Sequence, residues 1–436
     1  MSGALAELHQ EAALLEQHRG FLEREAHPAL KPFNEAAARR FQTLRFPHPK
    51  HEMYTFVNTY ELTQTAFALR DGKPDPDFVR SAVYPACAGS VLVFADGVYR
   101  PDLSDTSALP GGVTLRPLEE ACGDPAVQTH LEKTLAEEND VFACLNAAFM
   151  KTGLVVDLAP ETVLTSPLQI LYVGVASPAP VTHHPRLLVR LGGLAEIKLL
   201  IKFTGTGGGY FVNAVQDFLL EPGAGVTCSQ FQNDPPGSWN MNKLRVFQKR
   251  DSRFHAVNGS GGCRLARTHY EVRLQEEGAE LELKNAAVLV DEEQAHHFVR
   301  VHHEAPHCTS HQHFKNVVDG KGRASVDGTV IVNQGAQQTS SDQLLNNLML
   351  SDQAHCDNKP NLMIFADDVK CTHGATVGQI DEDQLFYLKT RGLADRLARE
   401  LLTTSFVESI IEQVPFEDMV RDLDTVLLRK LEARHG

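Results

Sequence analysis

Residues 154 to 370 form a long succession of short segments rich in β-branched and apolar side chains, separated by turns that contain glycine. We find no helical period of useful length within this region. The segments with the strongest strand pattern are residues 168–175, 186–191, 195–203, 210–215, 226–231, 281–290 and 329–332. More than 200 residues of strand without a helix predict a sandwich, a barrel, a propeller or a β-solenoid.

A loosely repeated unit helps to choose among these folds. Glycine followed by small residues and an alternating strand occurs at Gly193, Gly223, Gly278 and Gly322, at intervals of 30, 55 and 44 residues. We interpret these intervals as one, two and two coils of roughly 22 to 30 residues, the size of a solenoid repeat. Because glycine is favoured in the turns of any β protein, the pattern places a β-helix only slightly ahead of a sandwich.

The regions on either side are predicted to be helical. We divide the chain into a mostly helical N-terminal region with a small hairpin (1–152), a β core (153–380) and a helical C-terminal region (381–436). Asp381, with a glutamine three residues later, is a typical N-cap for the first C-terminal helix. The buried face of the following helix is predicted to consist of Ala394, Leu397, Leu401, Thr404, Ile411 and Val414. Such short helices must dock on the β core or on another protein, because they cannot bury their apolar faces alone.

Charge and cysteine content exclude several functional classes. The chain has 41 Lys and Arg against 56 Asp and Glu, and the net charge of −15 disfavours a nucleic-acid binder. It has no run of 18 apolar residues, so no membrane-spanning helix is expected, and the N-terminus is predicted to be a helix rather than a signal peptide. The eight cysteines are scattered without a C-x-x-C pair, so we expect a cytoplasmic protein and neither a disulfide scaffold nor a zinc finger.

Seven of the 20 histidines are concentrated between residues 296 and 313. They are His296, His297, His302, His303, His307, His311 and His313. Histidine can ligate zinc or iron, so one hypothesis is a stand-alone metal-dependent hydrolase. However, the H-E-x-x-H spacing is absent, and the competing interpretation places most of these side chains at outward or turn positions. A third hypothesis, a carbohydrate-active β-helix, is disfavoured by the single tryptophan, Trp239, and an aromatic content of 7 %.

Cys371 and His373 are separated by one residue, so on a strand their side chains project from the same face. Such a pair can ligate a soft metal, and His373 could also lower the pKa of the Cys371 thiol. The residues alone are equally compatible with a thiol packed in the core beside a hydrogen-bonded histidine. The segment 204–209 is rich in glycine but lacks the spacing of a phosphate-binding loop, and it is predicted to be a turn.

The segment from Asp367 to Leu393 closely resembles the C-terminal signature of the SufB/SufD family, the scaffold subunits of the Suf iron–sulfur cluster assembly machinery. Further blocks resemble the same family, at residues 307–315, 328–332, 336–339, 346–351 and 359–360 and more weakly at 145–149 and 261–267. Gly374 follows His373 where SufB-type chains tend to carry a glutamate, so the resemblance is to the SufD type. The tryptophan usual in the family's early segment is absent near residues 50–55.

This resemblance implies a mainly β chain, a right-handed parallel β-helix flanked by N-terminal and C-terminal α-helical regions. It implies a non-enzymatic scaffold that pairs with a SufB-type paralogue through the β-helix end and binds a SufC-type ABC ATPase through residues 381–436. His373, and secondarily Cys371, are then expected to hold a transient iron–sulfur cluster at the interface with SufB, which supplies the remaining ligands. No tightly bound cofactor is expected. The free strands of a β-helix end would also allow a homodimer of the isolated chain.

Overall fold

The computed structural model describes residues 2–48 and 50–431. The N-terminal helices are α1 (Ser2–Arg24), α2 (Lys31–Leu44), α3 (Tyr60–Gln64), α4 (Pro76–Ala82), α5 (Leu118–Ala121), α6 (Pro125–Glu137) and α7 (Val141–Phe149). The strands between them are β1 (Ala68–Leu69), β2 (Val91–Ala95), β3 (Val98–Tyr99) and β4 (Val113–Pro117). β2 and β3 pair antiparallel as the predicted hairpin. The pieces that the sequence did not predict, α3, α4, α5, β1 and β4, are too short to show a period.

The strands of the central region build two long sheets. They are β5 (Leu154–Leu158), β6 (Leu168–Gly174), β7 (Val181–His183), β8 (Arg186–Leu191), β9 (Glu196–Gly205), β10 (Tyr210–Leu220), β11 (Gly225–Gln232), β12 (Trp239–Gln248), β13 (Arg253–Ser260), β14 (Leu265–Leu274), β15 (Glu280–Leu289), β16 (Gln294–His303), β17 (Thr309–Val318), β18 (Arg323–Val332), β19 (Thr339–Met349), β20 (His355–Ile364) and β21 (Val369–Gly378). From β8 onward the even strands lie in sheet A and the odd strands in sheet B. Each strand pairs in parallel with the strand two positions along the chain.

This alternation makes the central region a parallel β-solenoid with one strand of each sheet per coil. Register partners are 26 residues apart between β12 and β14 (Trp239 with Leu265) and 32 apart between β18 and β20 (Arg323 with His355). The predicted mainly β fold with flanking helices is therefore confirmed. The right-handed sense of the coil stays a prediction, and it is the sense that crossover connections between parallel strands adopt.

A column of left-handed backbone positions lines the turns from sheet A to sheet B. Its members are Leu194, Gly223, Asp251, Gly278, His307 and Gln338, with φ between 54° and 74°. Each donates its backbone N–H to a carbonyl in the turn of the next coil, as Gly223 does to Arg250 (2.8 Å). Gly223 and Gly278 occupy this column, so the interval of 55 residues is two coils, as predicted. Gly322 lies in the opposite turn, between β17 and β18, so the interpretation of 44 residues as two coils is wrong.

The interior of the solenoid changes character along its length. In the early coils it is apolar, and β9 contributes Ile197, Leu199, Ile201 and Phe203. In the last coils the inward side chains of sheet B include serine, glutamine and asparagine at nearly full burial. Buried polar groups require hydrogen-bond partners, so the core of the last coils depends on hydrogen bonds between its side chains as well as on apolar packing.

The N-terminal helices cover the outer face of sheet A. Phe142 and Phe149 of α7 pack with Phe211, Trp239 and Met241 of the sheet. The same interface contains buried ionic groups, namely Glu138, Asp140, Arg186, Asp217, Lys243, Arg245, Arg267 and His269. Charged side chains are rarely buried unless they are paired, so this layer depends on its ion pairs.

The C-terminal helices cover the outer face of sheet B. They are α8 (Glu382–Thr390), α9 (Asp395–Ile411) and α10 (Glu417–Leu423). Asp381 caps α8 as predicted, because its side chain accepts the backbone N–H of Asp383 and of Gln384. Val407 and Met419, on α9 and α10, belong to one apolar cluster with side chains of sheet B. The sequence allowed these helices to dock on the β core or on another protein, and in the structure they pack on the β core.

The buried face of α9 differs from the predicted one. The prediction holds for Ile411 and Val414, but Leu397 and Leu401 are 48 % and 47 % exposed. The buried positions of the helix are Ala398, Thr403, Val407, Ile410 and Ile411. α9 therefore carries two apolar stripes, and the stripe with Val407 and Ile410 is the one that packs on sheet B.

Among the helices in residues 2–48 and 50–431, none is long and apolar enough to cross a membrane.

Candidate functional site

The last coil of the solenoid is open. β20 pairs with β18 and β21 pairs with β19, and each has a free edge in the described chain. Most residues of β21 are exposed, whereas the preceding strands of sheet B are largely buried. A free edge presents unpaired backbone N–H and C=O groups, which can pair with a strand of another chain.

Cys371 and His373 lie on the inward side of β21, at this open end. Cys371 is half-buried and packs against the interior core, and His373 shares its face by the period of two and is exposed. Burial raises the pKa of the Cys371 thiol, and a hydrogen bond from the backbone N–H of Ser341 acts in the opposite direction. The net shift of this pKa is upward, so burial outweighs any lowering by His373. The two side chains nevertheless share one face at the mouth of the interior.

Beneath these residues lie polar side chains that the sequence analysis did not single out as a group. Cys371 is in register with Ser341, and His373 with Gln343. The Ser341 hydroxyl lies 2.9 Å from that of Ser310 on the next strand. The spacing could have revealed this stacking, because positions 310, 341 and 371 are 31 and 30 residues apart, about one coil each.

The histidines between residues 296 and 313 are distributed over different faces. His311 and His313 lie side by side on the outer face of sheet B, and His296 is buried on sheet A beside Ser325 (2.7 Å). His297 and His303 instead point into the interior, where burial lowers their pKa to about 3 and about 4. The interpretation as outward or turn positions is thus wrong for these two. Within residues 2–48 and 50–431, no three His, Cys, Asp or Glu side chains converge to hold a metal ion.

The rim of the open end carries several exposed apolar side chains. Phe365, in the turn between β20 and β21, is 58 % exposed, and Val377 of β21 is 48 % exposed. Met363, Ile364 and Leu344 are also exposed at this end. Clustered exposed apolar side chains are typical of an interaction surface.

A second exposed apolar surface lies on α8 and α9. We call it the helical patch, and it consists of Phe386, Tyr387, Leu397 and Leu401. Phe386 is 69 % exposed, and Leu385 is the buried residue of α8. Three residues, 379–381, join β21 to α8, so the strand with Cys371 and His373 is directly connected to this patch.

Comparison with known families places these features in one group of proteins. The family description "SUF system FeS cluster assembly, SufBD core domain" matches residues 174–406, more than half of the chain, and "SufBD protein N-terminal region" matches residues 7–170. The chain belongs to the SufBD family. The SufBD core domain thus includes most of the solenoid, the open end with its two candidate ligands, and the helical patch.

Three individual relatives align with this chain over most of their length. An iron–sulfur cluster assembly SufBD family protein of Synechocystis is 32 % identical over 401 residues, which are 88 % of this chain and 87 % of that protein. The iron–sulfur cluster assembly protein SufD of Escherichia coli is 28 % identical over 387 residues, 86 % of each chain. The chloroplastic protein ABCI7 of Arabidopsis thaliana is 27 % identical over 418 residues, 90 % of this chain and 84 % of that one. The predicted resemblance is confirmed for the family, and the SufD relative agrees with the SufD type.

Proposed function

We propose that this SufBD protein is a non-catalytic scaffold subunit for iron–sulfur cluster assembly, which presents His373 and Cys371 to a transient cluster at its open end. The observation that carries the proposal is the position of these two residues on the inward side of a strand with a free edge. Imidazole and thiolate are ligands for iron, but two donors do not complete its coordination. A second chain that adds to the edge would supply the others.

The partner we propose for this edge is a SufB-type paralogue. The free strand supplies backbone hydrogen-bonding groups, and the exposed apolar side chains of the rim, Phe365 and Val377 among them, supply area to bury. A second copy of this chain could use the same edge, so a homodimer is the expected form of the isolated protein. Both assemblies would enclose the mouth of the interior with His373 inside.

For the helical patch we propose a SufC-type ABC ATPase as partner. The other stripe of α9 is already buried on sheet B, which leaves Leu397 and Leu401 available to a second protein. Because residues 379–381 connect β21 to α8, a displacement of the helices on ATP-driven dimerisation of the ATPase would pull on the strand that carries the site. This link gives the ATPase a short mechanical route to the cluster.

Co-expression with the candidate partners, followed by native mass measurement, tests both interfaces. Deleting residues 381–436 would expose the outer face of sheet B, so point variants are preferable. Phe386→Asp with Leu401→Asp is expected to release the ATPase and to retain the SufB-type chain. Phe365→Asp is the reciprocal control, and it should weaken pairing of the solenoids while the ATPase stays bound. A monomer that ignores both partners would contradict the proposal.

His373→Ala tests the site itself. In the co-purified complex we expect a strong loss of iron and acid-labile sulfide with the complex intact, and a smaller loss for Cys371→Ser. His311→Ala, on the outer face of the same sheet, is the matched control and should leave the cluster yield unchanged. An unchanged yield in His373→Ala would show that His373 is not a ligand. Metal analysis of the isolated chain tests the competing hydrolase, which requires stoichiometric metal and turnover without partners.

We also propose that the protein works in the cytoplasm. All eight cysteines are free thiols, which suits a reducing compartment. Fractionation of the host cell, with immunodetection of the chain, would test this location.

A further inference from the structure

Gln343 is a buried polar residue whose hydrogen bonding is incomplete. It lies on the inward side of β19, one coil below the open end, and is 1 % exposed. Its Oε1 atom is buried and accepts no hydrogen bond in the described part of the chain. A buried acceptor without a donor is costly in free energy, so such an atom in a native core calls for a physical reason.

The Gln343 amide makes one hydrogen bond, to the strand below it. Its Nε2 donates to Oε1 of Gln312 on β17, at 3.0 Å. Gly328, on the facing strand of sheet A, makes room for this arrangement, because a Cβ at that position would lie 2.1 Å from Nε2 of Gln343. The two glutamines therefore form a stacked pair, and each keeps one buried amide atom without a partner, Oε1 of Gln343 above and Nε2 of Gln312 below.

The position above Gln343 is His373. The two residues are register partners on neighbouring parallel strands, which are about 4.8 Å apart, and both belong to the inward face. The imidazole ring is exposed and forms no hydrogen bond or ion pair among the interactions of the described residues. The register thus places a ring with an N–H donor one strand above an acceptor that lacks a donor.

We propose that Gln343 is a positioning residue for His373. When the ring turns inward, the Gln343 carbonyl accepts one ring N–H and fixes the tautomer, and the other ring nitrogen remains free to bind iron. Metal-binding histidines commonly donate their second N–H to a carboxylate, a backbone carbonyl or water, which orients the ring and raises its basicity as a ligand, and the Gln343 carbonyl would take the place of such an acceptor. This inference rests on the proposed function of His373 as a cluster ligand. Ser341, the corresponding neighbour of Cys371, already shares its hydroxyl with Ser310.

The test is nitrogen NMR of the full chain labelled with ¹⁵N-histidine, at about pH 8, above the ordinary imidazole pKa. The signals of His373 are identified by their loss in His373→Ala. We expect one protonated and one unprotonated ring nitrogen in the native chain. Gln343→Leu should shift both signals to the averaged values of a free imidazole, and Gln312→Leu should give a smaller shift. Ser341→Ala, an inward substitution on the same strand, should leave them unchanged, and far-ultraviolet circular dichroism verifies the fold of each variant.

Two outcomes separate this inference from the proposed function. If Gln343→Leu leaves the His373 tautomer unchanged while His373→Ala abolishes cluster assembly, the positioning role is overturned and the ligand role stands. If Gln343→Leu gives averaged ring-nitrogen signals for His373 and also lowers the cluster yield several-fold in the complex, the positioning role and the ligand role are both supported. An averaged imidazole in the native chain itself would also overturn the positioning role.

Discussion

Replacing Asp217 with asparagine should destabilise the chain far more than an ordinary charge substitution. Asp217, on the outer face of β10, is fully buried beneath the N-terminal helices. It accepts hydrogen bonds from Arg186 (2.9 Å) and Arg245 (2.8 Å), and His130 of α6 lies 3.1 Å away. Burial alone would raise the pKa of Asp217, but Arg245 and Arg186 hold it well below its usual range. The carboxylate is therefore ionised and balances two buried guanidinium groups.

The size of the effect follows from this environment. Asparagine keeps the shape but removes the charge, which leaves Arg186 without a carboxylate partner among the ion pairs of the described residues. Breaking a buried ion pair costs about 3–5 kcal/mol, because a charge stays buried without compensation. For a chain of 436 residues the unfolding entropy is roughly 0.9 kcal/mol per kelvin, so the midpoint of a single cooperative transition should fall by about 3–5 °C.

Differential scanning calorimetry near neutral pH measures this shift. Glu196→Gln is the matched control, because its pair with Arg253 (2.9 Å) lies on the surface and is worth about 0–1 kcal/mol. In the double variant Asp217→Asn with Arg186→Met, part of the loss should be recovered, since the unpaired charge is removed. A melting temperature of Asp217→Asn within about 1 °C of the control would refute the view that this layer depends on its ion pairs.

Three further variants probe the interior and the C-terminal region. Burial lowers the pKa of His297 from 6.5 to about 3, so its contribution to stability is complete above pH 6.5 and is lost as the pH falls toward 3. His297→Leu should therefore reduce the slope of unfolding free energy against pH on the acid side by up to about 1.4 kcal/mol per pH unit. Denaturant titration across this pH range measures the slope. Gly328→Ala should lower the free energy of unfolding by about 1–3 kcal/mol, because its Cβ would displace the Gln343 amide. Gly335→Ala is the control, because a Cβ there would meet no atom within 4 Å, and its free energy of unfolding should lie at least about 1 kcal/mol closer to that of the native chain. Asp381→Ala removes the N-cap of α8 and should raise the rate of amide hydrogen exchange in that helix by roughly the equivalent of 1 kcal/mol, and unchanged exchange would contradict the capping role.

Much of the fold could be predicted because strands and helices are indicated by local sequence patterns. The segment 186–191 is a strand with the predicted bounds, and Asp381 caps its helix as expected. The face of α9 could not be predicted in the same way. Leu397 and Leu401 fit a helical period, but a period only groups residues into stripes, and which stripe is buried depends on the surface of sheet B that it meets.

The two candidate ligands could be predicted from the sequence, but the residues that surround them in the structure could not. The period of two already placed Cys371 and His373 on one face, and the family resemblance of their segment pointed to cluster assembly. That Gln343 lies beneath His373 depends on a coil of 30 residues at that point, whereas other coils have 26 to 32. A loosely repeated length cannot fix the register of one coil on the next.

The division into helical, β and helical regions, the family, and the neighbouring residues that share a face could be inferred from the sequence alone, because these follow from short-range periods and motifs. Which face points inward, and which residues one coil apart are stacked, depends on the contacts between coils. The seven clustered histidines are distributed over two sheets and the turn between them, so that His297 and His303 are core residues while His311 lies outside. The reason is physical: side-chain direction is set by the local backbone, but burial and partners are set by contacts between segments about 30 residues apart.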